Sequence, residues 1–569
     1  MKLKLIFLTL LSAATMSAQK VILDENFDDW KVGVTMYSDP RGDQGITGID
    51  ITQVRMYNDD LYYYLYVDIS TPINIQSGNS LALLIDIDDS INTGLSRSGL
   101  GVDLIYNFGN RRGIGYANNR AYTIFHSDIG LVTAPTVTSE RFEICIARDV
   151  TFGSIPLRIG NQIKVLISDE SALGDKAPNG TGGYAYSMIT DNVFAPEAIN
   201  LKKIKASDLR IVAYNVLRDN LFKPNTQASF NRIFNALKPD IIGFCEIYDQ
   251  TSQQTADIIN TYLPTSGSSK WYNSGVNPDI IVISKYPVIN TARIDGNGAF
   301  LIDVDGKEIV FIVVHFPCCD NETARQAELD NLMAFVRNIR FGTSIFRTAQ
   351  NTPIIIAGDT NLVGLSEQQN TLLNGDIKNN NTYGADFYPD WDDTPLEDVK
   401  PLTTRHPSTF TWYNPNGSYS AGRLDYITYT GSVIKVINNY SLFTPTLTNQ
   451  ELIDNGLEAE DVIIASDHLP IVADFEIAGS VSVKNLTDRN QLEVYYDGQS
   501  INVTLGNIMT DRPDSYELFD MNGRSIAHGK IDTATSEFKI KIDSILPQSL
   551  YIIKFNFGYA QKSFNFINY

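Results

Sequence analysis

Residues 354–361 read Ile-Ile-Ile-Ala-Gly-Asp-Thr-Asn. A run of β-branched residues that stops in a polar cluster describes a buried strand with functional groups at its end. Upstream, Ile211-Val-Ala-Tyr-Asn215, Ile241-Ile-Gly-Phe-Cys-Glu246 and Phe311-Ile-Val-Val-His315 follow the same plan. Downstream, Arg423-Leu-Asp425-Tyr426 and Ser466-Asp467-His468-Leu-Pro470 add carboxylates and an imidazole. The rival reading of Gly358-Asp-Thr-Asn361 is a β-turn, since Gly, Asp and Asn all favour turns. A turn explains the glycine but leaves the isoleucines and the other five groupings as coincidence. Carboxylates, amides and imidazoles at strand ends are what a metal-assisted hydrolase needs.

Between these strands, Phe230 to Leu237 and Thr323 to Ile339 read as helices, the second behind an Asp320-Asn321 start signal. Strands alternating with helices predict an α/β fold. Arg423 to Thr430 and His468 to Phe475 have no long helix between them, which predicts that these two strands pair antiparallel.

The six groupings, in this order, resemble the endonuclease/exonuclease/phosphatase superfamily, the deoxyribonuclease-I-like group of metal-dependent phosphoesterases. The resemblance spans about residues 209–476. It implies a central α/β four-layer sandwich: two packed mixed β-sheets flanked by helices. It also implies Mg²⁺ or Mn²⁺ as cofactor and a phosphodiester, nucleic acid included, as substrate. Glu246 is then a metal ligand; alone, such a glutamate would be read as paired with Lys or Arg at the sheet edge. Asn215 would bind the metal or a phosphate oxygen, and Asp467 would bind the metal or orient His468. Asp359 would orient or deprotonate water, and Asn361 would donate to the phosphate. His468 is the candidate base or transition-state partner, with Asp425 as its orienting carboxylate. His315 would serve the leaving side, and Arg423 the substrate. The other three histidines, His126, His406 and His528, read as structural.

The chain of 569 residues is too long for one core. Residues 1–18, with Lys2, Lys4 and the Leu5–Leu11 run, read as a signal peptide. That signal makes secreted or cell-surface the expected location, and no stretch has the apolar length of a transmembrane helix. A net charge of −21 argues against tight, non-specific clamping of a polyanion, though not against its hydrolysis. The four cysteines leave two readings: a bridge from Cys245 to Cys318 or Cys319, or buried free thiols.

Residues 19–200 read as all-β, with strand residues over Tyr57–Ile69 and Leu81–Ile87. Asp24-Glu-Asn-Phe-Asp-Asp-Trp30, Asn58 to Asp68 and Phe142 to Ala147 resemble family-9-type carbohydrate-binding β-sandwiches, which makes a glycan a candidate partner. Trp30, the only Trp there, reads as core rather than as a sugar platform. In the same region Asp86, Asp88 and Asn92 crowd one turn, which suits Ca²⁺ or a self-capping hairpin loop. Residues 195–208 read as a linker. Residues 480–569 read as a further β-sandwich. Its Phe519-Asp-Met-Asn-Gly-Arg524 turn resembles the sorting domains of the type IX secretion system of Bacteroidetes, and Ala478-Gly-Ser480 reads as a hinge. The sequence therefore supports an exported metal-dependent phosphodiesterase, most directly a nuclease. Phospholipid or inositol-phosphate hydrolysis, and an inactive surface glycan-binding protein, are the alternatives.

Overall fold

The computed structural model describes residues 20–477 apart from 32, 46, 47, 198, 268 and 277. Beyond them it describes 492–496, 500–505, 513–520, 524–531, 537–542, 549–557 and 560–568. The signal segment, the Ala478–Ser480 hinge and the Met521–Gly523 part of the C-terminal turn lie outside the described residues. The chain divides into two compact units, Met1–Ile477 and Ala478–Tyr569. No described helix is long and apolar enough to cross a membrane.

The middle of the first unit carries two six-stranded mixed sheets. In one, Leu209–Asn215 lies parallel to Ile241–Cys245 and antiparallel to Ile471–Glu476. In the other, Ile354–Asp359 lies parallel to Lys307–His315 and antiparallel to Asp425–Tyr429. Every residue of Ile354–Asp359 is buried, because both faces of the strand are covered. Ile355 and Ala357 pack with Ile211, Phe311 and Phe475 in the core shared by the two sheets. Ile354 and Ile356 face Leu329, Leu332 and Met333 of helix Glu322–Arg340. Each such isoleucine contributes about 1.5–3 kcal/mol by burial, and the strand that carries Asp359 is thereby held from both sides. Helix Gln227–Leu237 covers the outer face of the first sheet with Phe230, Ile233 and Phe234.

The expected antiparallel pair is not formed. Strand Asp425–Tyr429 belongs to one sheet and Ile471–Glu476 to the other. The chain crosses between them through strand Lys435–Ser441 and the short helices Asn449–Asn455 and Asp461–Ala465. Ile427 and Ile471 then meet in the shared core, which buries both better than side-by-side pairing at a sheet edge would.

The N-terminal part of the same unit is a β-sandwich of a five-stranded and a seven-stranded sheet. Asp59-Asp60-Leu61 breaks the expected Tyr57–Ile69 run into strands Ile51–Asn58 and Tyr62–Ile73. Alternation then sorts the tyrosines. Tyr63, Leu65 and Val67 fill the sandwich core, while Tyr64 and Tyr66 join Trp30 in a core continuous with the α/β body. Residues 195–208 are pinned: Leu201 is buried and its carbonyl accepts from Arg210 and Tyr440, and Lys203 pairs with Asp240. All four cysteines are free; Cys245 is buried with its thiol on the Val314 carbonyl, and the Cys318 and Cys319 sulfurs lie 2.8 Å apart.

In the second unit, a three-stranded and a four-stranded sheet bury Ile501, Val503, Leu518, Ile553 and Phe555.

Candidate metal centre and catalytic pocket

Strand register does most of the assembly. His315 and Asp359 are direct partners in the parallel pair, and Asp359 and Asp425 in the antiparallel pair, so three functional residues stand in one row. Gly358 permits this. Its φ is +134°, and a Cβ there would sit 2.3 Å from the Val314 carbonyl oxygen. In the other sheet Asn215 lies opposite Cys245, which brings Glu246 to the same end. Glu246 adopts φ +63°, an unfavourable region for a side-chain-bearing residue. It is held there by Asp279, which accepts its N–H at 2.7 Å, and by its own carboxylate on the Arg218 N–H at 3.0 Å.

Asn215 ties the two sheets together. Its Nδ2 donates to Glu246 Oε1 at 2.9 Å and to Asp359 Oδ2 at 3.0 Å, and its Oδ1 accepts the Leu217 N–H. Two histidines approach Asp359 from opposite partners. Nδ1 of His468 lies 2.8 Å from Asp425 Oδ2 and its Nε2 lies 3.6 Å from Asp359 Oδ2. Nδ1 of His315 lies 2.9 Å from Asp279 Oδ2 and its Nε2 lies 3.7 Å from the same Asp359 oxygen. Each imidazole is thus oriented by one carboxylate and aimed at a shared one.

Burial disfavours charge on both rings, yet the acids outweigh it. The hydrogen bond to Asp279 and the charge of Asp359 lift His315 to about 9. Asp425 and Asp359 lift His468 to about 10. Burial also pushes the Asp425 carboxyl up, while His468 draws it back.

The donor set fits a divalent cation. Ligand atoms of Asp359, Asp425 and His468 all lie within 4.8 Å of one another. Asp425 Oδ1 is buried and has no hydrogen-bond partner. Among the described residues in contact here, four acids, Glu246, Asp279, Asp359 and Asp425, meet two imidazoles, so the acids outnumber the cations that touch them. Hard carboxylate oxygens suit Mg²⁺ or Mn²⁺.

One expected residue sits elsewhere. Arg423 does not reach the pocket. It is 3% exposed, its guanidinium is paired with Asp398 at 2.8 Å and Glu25 at 3.0 Å, and it lies over the Tyr426 ring. Asp467 accepts from the Trp412 indole at 3.1 Å through one oxygen, keeps its other oxygen buried without a hydrogen-bond partner, and adds its charge to those that raise the His468 pKa; Asp425 is the carboxylate on the imidazole. In the sandwich, Asp86 and Asp88 gather with Asp103, and Asn92 is exposed. Asn361 is buried at the pocket wall, donating to the Phe316 carbonyl at 3.0 Å. His126 and His406 are buried, with His406 stacked edge-on between Tyr62 and Phe410.

Asp279 and Thr411 were not legible as site residues. Asp279 opens the Ile280–Ser284 run instead of closing it, so a search for polar residues at both ends of apolar runs would find it. Thr411, which donates to Asp425 Oδ2 at 2.8 Å, lies in a loop with no such mark.

These groups open into a cavity of about 580 Å³. Glu246, His315, Asp359 and His468 line its floor, and Tyr248, Trp412 and Tyr419 bring aromatic surface.

No family model and no curated protein matches the chain. Solved structures do. The human Nocturnin catalytic domain with bound sulfate is 17% identical with a TM-score of 0.32, over 47% of this chain and 94% of that one. An endonuclease/exonuclease/phosphatase family protein from Leptotrichia buccalis is 17% identical with a TM-score of 0.31, over 47% and 99%. D. rerio TDP2 complexed with single-strand DNA product is 16% identical with a TM-score of 0.31, over 48% and 99%. Likenesses at these identities and scores decide nothing about what this chain does.

Proposed function

We propose that the chain is a divalent-metal-dependent phosphodiesterase, exported from the cell and acting most directly on extracellular nucleic acid. The observation that carries this is the convergence of two carboxylate-oriented imidazoles on one oxygen of Asp359, beside Glu246, at the floor of a cavity.

Attack on a phosphodiester builds negative charge on an already anionic group. A cation held by Glu246, with Asp359 and Asp425 near it, would offset that charge when bound. The chain's own residues supply the rest. Asn215 fixes the spacing of Glu246 and Asp359 through its two N–H bonds. Asp359 would orient the attacking water or take its proton. His468 and His315, held charged by their acids, present Nε2–H to phosphoryl oxygens and to the departing oxygen. Asp425 and Asp279, each accepting from Nδ1, keep both rings turned so that Nε2 points inward.

In this reading residues 1–18 are removed on export, the four-layer catalytic body lies between two β-sandwiches, and the C-terminal one serves type IX sorting. Purified protein should cleave p-nitrophenyl thymidine 5′-phosphate with Mg²⁺ and stop on chelation. Undiminished turnover in chelator, or in Asp359→Ala and His468→Ala proteins, rejects the reading. Mass spectrometry of the exported protein tests the signal: a chain still starting at Met1 rejects it.

A further inference from the structure

We propose that the N-terminal sandwich is a working wall of the catalytic pocket, and that it restricts the substrate to a nucleic-acid strand end or a similarly small phosphodiester. This rests on the phosphodiesterase reading above and narrows it.

The first ground is placement. Asn74, Gln76 and Ser77 from one sandwich loop, and Thr136 and Thr138 from another segment, line the same cavity as His315, Asp359 and His468.

The second ground is how firmly the wall is seated. Asn74 Nδ2 donates to the Val363 carbonyl at 2.5 Å, and Thr136 Oγ1 to the Leu362 carbonyl at 2.8 Å. Those acceptors directly follow Asn361 in the chain. The Thr138 N–H donates to the Gly364 carbonyl at 2.7 Å. On the opposite rim, Gln76 Oε1 accepts the Ser420 N–H at 2.8 Å, and the Arg111 guanidinium lies 4.2 Å from the Tyr419 ring centre. A Cβ on Gly422 would come within 2.8 Å of the Thr136 methyl, so the two bodies meet with no slack there. The sandwich is fixed against both loops that flank the catalytic floor.

The third ground is size and charge. A cavity of about 580 Å³ is in the range that encloses a small ligand. That volume matches a small ligand rather than a length of duplex. Long nucleic acid is held by rows of Lys and Arg on its phosphates. Among the described lining residues Arg218 is the one Lys or Arg, set against Glu246, Asp320, Glu322 and Asp359. Exposed Tyr248 offers instead a flat face on which an unpaired base stacks.

The full chain, with Mg²⁺, should be given three substrates: p-nitrophenyl thymidine 5′-phosphate, a linear single strand, and the same strand covalently closed into a circle. The expected result is turnover of the first two, with the circle cut at least about tenfold more slowly than the linear strand. Ser77 is exposed, so Ser77→Trp narrows the pocket without disturbing a core. It should raise KM for the linear strand about fivefold, with the loss in KM rather than in kcat. A circle cut as fast as the linear strand overturns the proposal, as do unchanged kinetics in Ser77→Trp. No turnover of the p-nitrophenyl ester sinks the phosphodiesterase reading itself, and this proposal with it.

Discussion

Two gatherings of acids in this chain look alike on paper and differ in what surrounds them. In the sandwich, Asp86, Asp88 and Asp103 draw together. Their oxygens accept from the sandwich itself: Ser90 and Gly101 N–H on Asp86, Ile87 N–H on Asp103, and the Thr93 hydroxyl on Asp88. In the α/β body, Glu246, Asp279, Asp359 and Asp425 come from separate strands and loops and meet imidazoles, and Asp425 Oδ1 has no partner at all. The first arrangement is hydrogen-bonded from within the sandwich. In the second, among the described residues, the acids outnumber the two imidazoles that touch them. Acidity therefore marks a site only where local backbone has not already satisfied it.

The largest expected effect separates the two gatherings directly. Asp359→Ala should lower kcat/KM on a small phosphodiester by at least about a thousandfold, while Asp88→Ala leaves it within about twofold. Steady-state kinetics on matched preparations checks this.

A third meeting of acids sharpens the contrast, because it is neutralised by a cation. Asp398 and Glu25 both pair with buried Arg423. Arg423→Ala should cost about 3–5 kcal/mol by leaving those acids unpaired. Denaturant unfolding would read the loss, and the residual folded protein should keep its activity per molecule.

These particulars show what the sequence could and could not disclose. Asn215, Glu246, His315 and Asp359 were legible because each closes an apolar run that had to be a buried strand. Asp279 was missed because it opens one. Arg423 was misplaced because spacing says nothing of direction: its partner Glu25 lies 398 residues away, on the sandwich. The seating of the sandwich was hidden for the same reason. Tyr64 and Tyr66 were legible as alternating strand residues, but the core they join is built from residues hundreds of positions downstream.

A smaller effect tests the orienting acids. Asp279→Asn should lower kcat about 10- to 100-fold and bring the His315 pKa down from about 9. Imidazole NMR in metal-free protein would follow the second change. A pKa left in place would separate Asp279 from the role given to it.

The smallest concerns a histidine outside the site. Burial lowers His406 to about 3, against about 6.5 in the unfolded chain. The unfolded state binds the extra proton between these values, so stability is lost as pH falls below about 6.5. His406→Phe removes that dependence, and the gap between wild type and variant should change by about 2 kcal/mol from pH 7 to pH 5. Thermal unfolding at both pH values measures it.

The most direct test of the centre is where a metal goes. Crystals soaked in Mn²⁺ should show one strong anomalous peak within coordination distance of Glu246 and beside Asp359. A peak only in the Asp86–Asp88–Asp103 loop, or none at Glu246, would contradict the account.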